Sequence, residues 1–195
     1  MVTSSAPVIE TQRLSLRPPK LADARALALM LGQWDVARRL AVVPHPYEPL
    51  EAERFVAEIE AGTSPYRTAF VITVRPNEIA RGMVTLRPTG EVVRLGYYLE
   101  PKLWGQGLAR EAVEAVIDWA FEVLLDDQEV IEAGVQIDNP ASARLLRRLG
   151  FKHCGQAVGP CIALGRDVPW DVFRMSRDAW GADAADGAAT SDQRY

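Results

Sequence analysis

A glycine-bearing turn, Gly105-Gln-Gly107, lies between a predicted strand and a predicted long helix. Apolar residues recur with helical period over residues 108–125, which makes this the best-defined helix of the chain. Glycine lets the backbone turn sharply, and the first amides of a helix have no carbonyl partner inside it. Because these N–H groups lie at the positive end of the helix dipole, they favour an anion such as a pyrophosphate.

The common nucleotide-binding patterns do not fit this turn. A P-loop needs a lysine after its glycines, and a dinucleotide motif needs a third small residue where Arg110 stands. An isolated Gly-x-Gly is also typical of an ordinary strand-to-helix turn that binds nothing. The turn by itself therefore leaves open whether a ligand is bound.

Hydrophobic periodicity and turn residues predict a mixed α/β chain. Strands are expected at residues 11–17, 68–74, 79–86, 92–99, 130–137, 151–157 and 168–176. Helices are expected at residues 21–31, 50–61, 108–125 and 140–149, while residues 32–49 remain unassigned. Asn139 and Pro140 suit the N-cap and first turn of the last helix. Within the strand at 92–99, Gly96 indicates a bulge or a close approach by another group.

Composition and charge exclude several classes of protein. The chain has 22 basic and 26 acidic residues, so its formal charge of −4 provides no positive field for nucleic acid. Its two cysteines and two histidines do not form a zinc-binding pattern, and we expect no metal. The start lacks the features of a secretory signal, and no apolar stretch is long enough to cross a bilayer. We therefore expect a cytoplasmic protein with no membrane or nucleic-acid partner.

The length of 195 residues fits one domain, which we place at residues 1–180. Residues 181–195 have almost no large apolar side chain, so they are predicted to form a flexible tail. A homodimer is the default expectation for a soluble chain.

Three segments resemble one family. Residues 95–112, with Trp104-Gly-Gln-Gly-Leu-Ala109 at their centre, closely resemble the acetyl-CoA motif of the GNAT superfamily. The resemblance is strongest to the branch of Rim-type ribosomal-protein N-terminal acetyltransferases, and residues 11–18 and 138–151 share it. It implies a mostly antiparallel twisted sheet of about six to seven strands, with helices on both faces. A parallel strand pair would splay at the acetyl-CoA site.

The resemblance also implies which residues bind the cosubstrate acetyl-CoA. Backbone amides of the turn would hold the pyrophosphate, and Asn139 would contact the pantetheine arm. The full implied set is Leu99, Trp104, Gly105, Gln106, Gly107, Leu108, Ala109, Arg110, Asn139 and Ser142. Asn139 is equally explained as a helix N-cap, and Ser142 as an ordinary surface residue.

Catalytic residues are harder to identify. By resemblance, Ser142 lies near the thioester sulfur, and a backbone N–H near Gly96 or Tyr97 polarises the carbonyl. Related sequences often carry a glutamate where this chain has Arg94, which cannot accept a proton. Three kinds of substitute base remain open besides a water chain: Glu91, a tyrosine hydroxyl (Tyr97 or Tyr98) and His45.

The acceptor would be a primary amine. Trp34, His45, Tyr47 and Tyr66 fall in segments that line the acceptor cleft of similar proteins, although aromatic residues there also pack on the sheet. Arg94 indicates an acidic or carboxylate-bearing acceptor. An α-amine, with a reference pKa of about 7.7–8.0, is easier to deprotonate than lysine at about 10.4.

Three functions remain open. The first is an active acetyl-CoA-dependent N-acetyltransferase that works by direct transfer in a ternary complex, on a protein N-terminus or a small amine. The second is a degenerate domain that binds acyl-CoA as a sensor or scaffold, favoured by Arg94. The third is an interaction module that does not bind CoA.

Overall fold

One mixed sheet of eight strands organises the residues described by this computed structural model, which are 6–66, 68–125 and 130–181. The strands are β1 (Ile9–Glu10), β2 (Leu14–Arg17), β3 (Thr68–Val74), β4 (Ala80–Thr89), β5 (Val92–Leu99), β6 (Val130–Gln136), β7 (Lys152–Cys161) and β8 (Arg166–Ser176). Their order is β1-β2-β3-β4-β5-β6-β8-β7. All neighbours are antiparallel except β5 and β6, which are parallel.

The predicted class, a mostly antiparallel sheet with one parallel pair, is confirmed. The expected number of six to seven strands is too low, because β1 also pairs with β2. β1 has only two residues, too few for an alternating pattern to be seen in the sequence. The strand expected at 11–17 begins at Leu14, since residues 12–13 form a bend.

Helices cover both faces of the sheet. They are α1 (Ala24–Leu31), α2 (Trp34–Ala37), α3 (Pro49–Glu60), α4 (Leu108–Trp119) and α5 (Pro140–Arg148). On one side, called the α1–α3 face, Leu27 and Val56 pack against Val71 and Met83 of the sheet. On the other, called the α4–α5 face, the core includes Val113 of α4 and Leu146 of α5. The alternation predicted for β5 holds, because Leu95 and Leu99 are buried in this second core.

Several element boundaries differ from the predictions. α4 ends at Trp119 and continues as a π-helical turn, Ala120–Leu124, in which the Leu125 N–H donates to the Ala120 carbonyl. The unassigned segment contains the short helix α2. β7 extends beyond the predicted residue 157 to Cys161, and most of its side chains are exposed. An exposed strand lacks the apolar alternation on which the prediction depends.

The start of α5 confirms the predicted cap. Asn139 precedes the helix, and its Oδ1 accepts a hydrogen bond of 3.3 Å from the Ser142 N–H. Pro140 occupies the first turn, where its missing N–H has no cost. This cap fixes α5 directly after the end of β6.

The parallel pair diverges after a short contact. β5 and β6 pair only at Val92 with Val130, Val93 with Ile131, and Arg94 with Glu132. Beyond these residues β5 continues to Leu99 and β6 to Gln136, with no further pairing between the two in the described chain. The implied splay is therefore present, and it opens toward the carboxyl ends of both strands.

Within the described segments, no helix has the length and apolar character needed to cross a membrane. The tail predicted at 181–195 lies outside the described residues from position 182 onward.

Candidate active site

Residues 104–107, the glycine loop, connect β5 to α4 in a conformation that requires glycine. Gly105 and Gly107 have φ of 76° and 78°, in the left-handed region that other residues adopt only with strain. A Cβ added to Gly105 would meet no atom within 4 Å, so its backbone is open to a ligand. Conformation, rather than lack of space, therefore demands glycine here.

Unpaired amides follow the glycine loop. The Glu111 N–H donates to the Gly107 carbonyl at 3.1 Å, which is the first bond of α4. The amides of Leu108, Ala109 and Arg110 precede it and have no helical carbonyl to bond. Together with the helix dipole, they form an anion-binding end.

Three residues, called the loop clamp, hold the glycine loop from the side of β2: Thr11, Arg13 and Glu111. Arg13 Nη1 donates to the Gln106 carbonyl at 2.9 Å, and its Nε donates to Glu111 Oε2 at 2.7 Å. Glu111 Oε1 accepts from the Thr11 hydroxyl at 2.6 Å and from the Arg13 N–H at 2.8 Å. Burial raises the pKa of Glu111, but these hydrogen bonds outweigh it, and the net pKa is lowered.

Sequence analysis did not identify the loop clamp. Thr11 and Glu111 are 100 positions apart, so no local pattern connects them. The available signal was that both lie inside segments that resemble the same family.

Trp104 ties the glycine loop to β5 and to the segment after α2. Its indole Nε1 donates to the Leu99 carbonyl at 2.8 Å. The guanidinium of Arg39 lies 5.8 Å from the centroid of the Trp104 ring, within the range of a cation–π contact.

Two hydroxyl groups meet in the splay between β5 and β6. Tyr97 Oη of β5 and Ser142 Oγ of α5 are 2.5 Å apart. Burial raises the pKa of Tyr97 to about 12, although the bond with Ser142 lowers it in part. The Tyr97 hydroxyl is therefore protonated at neutral pH, so it is not available as a phenolate base. Burial also raises the pKa of Tyr98, so the Tyr98 hydroxyl is likewise protonated at neutral pH.

Two glycines line the splay on the α1–α3 face. Gly96 lies on β5 and Gly134 on β6, each two residues beyond the last paired position of its strand. A Cβ on Gly96 would stand 2.9 Å from Thr85 Oγ1, which identifies the close neighbour that a strand glycine predicts.

The aromatic residues predicted at the acceptor cleft divide into two groups. Trp34 and His45 form an edge-to-face pair with ring centroids 5.1 Å apart, and both are exposed. Tyr47 packs against the core of the α1–α3 face, where burial raises its pKa to about 12. Tyr66 packs edge to face on Phe55 at 5.5 Å.

The segment after α2 crosses the mouth of the splay. Gln136 Nε2, at the end of β6, donates to the Arg38 carbonyl at 2.8 Å, and the Ile162 N–H donates to the Ala41 carbonyl at 3.1 Å. With Arg39 over Trp104, this segment spans from β6 to the glycine loop. It thus brings the neighbourhood of Trp34 and His45 to the open end of the parallel pair.

Glu91 and Arg94 lie away from that open end. Glu91 is exposed in the turn between β4 and β5, six residues before Tyr97, so a distance of roughly 20 Å along the strand separates them. The structure therefore does not bring Glu91 together with Tyr97 and Ser142. Arg94 lies at the start of the splay, with its Nε 3.3 Å from Glu132 Oε1.

Glu132 is a buried carboxylate that sequence analysis did not single out. It is only 8% exposed, and it bonds Arg174 at 3.0 and 2.9 Å in addition to Arg94. Both of its oxygens are engaged by guanidinium groups, so Glu132 holds the side chains of Arg94 and Arg174 in place.

Comparison with known proteins identifies the family. The family model described as acetyltransferase (GNAT) domain matches residues 13–152. The uncharacterized N-acetyltransferase p20 of Bacillus licheniformis is 28% identical over 170 residues, covering 85% of this chain and 93% of that protein.

Two solved structures share the fold. The ribosomal-protein-S5-alanine acetyltransferase of Vibrio fischeri has a TM-score of 0.73 at 20% identity, covering 90% of this chain and 99% of its own. RimL, a ribosomal L7/L12 alpha-N-protein acetyltransferase in complex with coenzyme A, has a TM-score of 0.71 at 18% identity, with coverages of 89% and 99%. These two structures show that the chain shares its fold with acetyltransferases of the Rim type. Because the family model matches well over half of the chain, the chain belongs to the GNAT family and is an N-acetyltransferase.

Proposed function

We propose that this enzyme transfers an acetyl group from acetyl-CoA directly to a primary amine in a ternary complex. The observation that carries the proposal is the glycine loop, whose left-handed glycines expose free amides at the open end of the splay. A relative with the same fold, RimL, has been solved with coenzyme A. The amine belongs to a protein N-terminus or to a small molecule.

The geometry supports the cofactor residues implied by resemblance. The amides of Gly105, Gly107 and the first turn of α4 would bind the pyrophosphate, because they are free and lie at a helix N-terminus. Asn139 and Ser142 lie at the start of α5, across the splay from β5, where the pantetheine arm would pass. The complete proposed set is Leu99, Trp104, Gly105, Gln106, Gly107, Leu108, Ala109, Arg110, Asn139 and Ser142.

The reaction needs the protein to stabilise an oxyanion and to supply a proton to the leaving group. A neutral amine attacks the thioester carbonyl, and a backbone N–H near Gly96 or Tyr97 would stabilise the developing oxyanion. The carbon–sulfur bond then breaks, and the departing thiolate needs a proton. We propose the Tyr97 hydroxyl, which lies 2.5 Å from Ser142 Oγ, as the donor of that proton. The proton that the attacking nitrogen loses would restore the tyrosine hydroxyl through water.

An α-amine is the acceptor that this site favours. Arg94 occupies the position where related sequences often carry a glutamate, and the nearby Glu132 is bound by two arginines. No free carboxylate lies at this point among the described residues, so the acceptor would lose its proton to water or to a weak base. An α-amine, with a reference pKa of about 7.7–8.0, does so far more readily than a lysine at about 10.4.

The same arginine favours a second candidate function. A sensor that binds acyl-CoA without turning it over would need no catalytic base. An arginine at position 94, in place of a glutamate, is consistent with the loss of that base. In that case Trp34, His45 and Tyr47 would have packing roles only.

An acceptor screen distinguishes the two. Free-amine peptides and small amines are mixed with acetyl-CoA, and release of the CoA thiol is recorded at pH 7 to 8.5. The proposed function predicts acceptor-dependent release that is greatest for α-amines. Tight binding of acetyl-CoA by calorimetry, with release no faster than hydrolysis for every amine, would establish the sensor instead.

A further inference from the structure

A row of charged residues crosses five strands of the sheet on the α1–α3 face. The strand register pairs Arg87 of β4 with Arg94 of β5, and Arg94 with Glu132 of β6. It continues from Glu132 to Arg174 of β8, and from Arg174 to Lys152 of β7. Directly paired residues point to the same side of a sheet, so all five side chains share one face.

The charge of this row is strongly unbalanced. The four cations, Arg87, Arg94, Arg174 and Lys152, are called the basic row, and Glu132 is the single carboxylate among them. In the described part of the chain, Arg87 and Lys152 form no ion pair. Like charges placed directly opposite destabilise a sheet, and Glu132 alone offsets only part of the repulsion in the row.

Two guanidinium groups of the basic row are exposed to solvent, while Arg87 is half-buried and Lys152 is exposed. The side chains of Arg94 and Arg174 are 61% and 51% exposed. Arg94 uses its Nε on Glu132, and its two terminal nitrogens have no hydrogen-bond partner among the described residues. Glu132 thus orients two arginines outward while its own charge is buried.

The basic row lies next to the splay. Gly96 and Gly134 stand two residues beyond Arg94 and Glu132 on the same face, about 6.7 Å further along each strand. The proposed oxyanion donor is at Gly96 or Tyr97. An amine that attacks there from the α1–α3 face would therefore lie about two strand positions from the basic row. An extended peptide advances by about 3.4 Å per residue, so its second to fourth residues would reach the row.

We infer that the basic row binds carboxylate side chains at the second to fourth positions of an acceptor polypeptide whose α-amine lies in the splay between Gly96 and Gly134. This inference rests on the proposed function and specifies its substrate class as an acidic N-terminus. The row suits carboxylates because arginine donors match their geometry in pairs. It is also the reverse in sign of the chain as a whole, whose formal charge is −4.

The test compares two decapeptides with a free N-terminus, one with Glu and one with Gln at positions two to four. Thiol release gives kcat/KM, and fluorescence anisotropy gives the affinity of each labelled peptide for the protein. The wild type is compared with Arg87→Gln/Arg94→Gln. The matched control is Arg25→Gln/Arg54→Gln, which removes the same charge from exposed positions on α1 and α3.

The Glu peptide should exceed the Gln peptide by roughly fivefold to tenfold in affinity and in kcat/KM, since exposed ion pairs contribute modestly and add across two or three contacts. In Arg87→Gln/Arg94→Gln the preference should fall to about twofold or less, because only the carboxylate contact with Arg174 remains. In the control the preference should persist in full. Acetyl-CoA affinity should be unchanged in both variants.

The outcomes separate the inference from the proposed function. Equal affinity for the two peptides, or equal loss of preference in both double variants, overturns the inference while acetyl transfer stands. A preference in affinity without thiol release supports the basic row and overturns the proposed transfer. Binding of a short single-stranded oligonucleotide through Arg87 and Arg94, with no binding of the Glu peptide, assigns the row to phosphates and overturns the inference.

Discussion

The loop clamp offers the sharpest test of how the glycine loop is held in place. Glu111→Gln keeps the size of the side chain and keeps one oxygen to accept from Thr11 and from the Arg13 N–H. The second oxygen, which accepts from Arg13 Nε at 2.7 Å in the wild type, becomes an NH₂ group and can no longer accept that bond. One charge-assisted hydrogen bond is therefore lost, and Arg13 is released from its position under the Gln106 carbonyl.

The magnitude follows from the exposure of the two partners. A buried bond of this kind is worth about 1.5–3 kcal/mol, but the Arg13 side chain is 46% exposed and solvent weakens the pair. We therefore expect about 1 kcal/mol, which corresponds to a Kd for acetyl-CoA raised about fivefold. The kcat at saturating acetyl-CoA should remain within about twofold, because no reacting group has been touched.

The assay is calorimetric titration with acetyl-CoA, together with thiol release at increasing acetyl-CoA concentration. Glu53→Gln is the matched control, since Glu53 is exposed on α3, which packs on the opposite face of the sheet from α4. An unchanged Kd in Glu111→Gln, or the same rise in both variants, would refute the view that the loop clamp pre-organises the loop.

Three further predictions concern catalysis, stability and pH. Tyr97→Phe should lower kcat by about tenfold to a hundredfold with unchanged acetyl-CoA affinity, because the thiolate loses its proton donor and Ser142 loses its hydrogen-bond partner. Steady-state thiol release measures kcat, and calorimetry measures the affinity. Asp23→Asn should lower the free energy of unfolding by about 3 kcal/mol in urea, because it breaks a buried two-bond pair with Arg17 at 2.7 and 2.8 Å. Burial raises the pKa of Asp23, but its bonds with Arg17 and Lys20 lower it more, and Glu111 is likewise lowered. The two carboxylates should therefore contribute fully to the free energy of unfolding above their unfolded-state pKa of about 4, and this contribution should be lost as the pH falls through their lower folded-state pKa values. Urea unfolding between pH 7 and 3 measures the change.

The elements with a strong periodic pattern were predictable. The burial of Val113 in α4 and the N-cap at Asn139 follow from local sequence, because helical spacing and capping are short-range properties. The glycine loop was predicted for the same reason, and Gly105 and Gly107 do have the left-handed conformation that a sharp turn requires.

The site residues that sequence analysis missed depend on long-range register. Glu132 faces Arg94 only because β5 and β6 pair in parallel with one particular alignment, which no local pattern specifies. The loop clamp depends in the same way on how β2 lies beside α4. Glu91 is the carboxylate close to Arg94 in sequence, whereas the carboxylate that contacts Arg94 in the fold is Glu132 of the neighbouring strand β6.

Calorimetric titration of Gly107→Glu with acetyl-CoA decides whether the glycine loop binds the cofactor. The substitution forces a side chain into a left-handed position and adds a negative charge at the first turn of α4, where the phosphates are proposed to bind. Gly62→Glu is the control, because Gly62 is also left-handed and unobstructed but follows α3. We predict that the wild type and Gly62→Glu bind acetyl-CoA and that Gly107→Glu does not. Equal affinity in all three proteins would contradict the assignment of the glycine loop as the cofactor site.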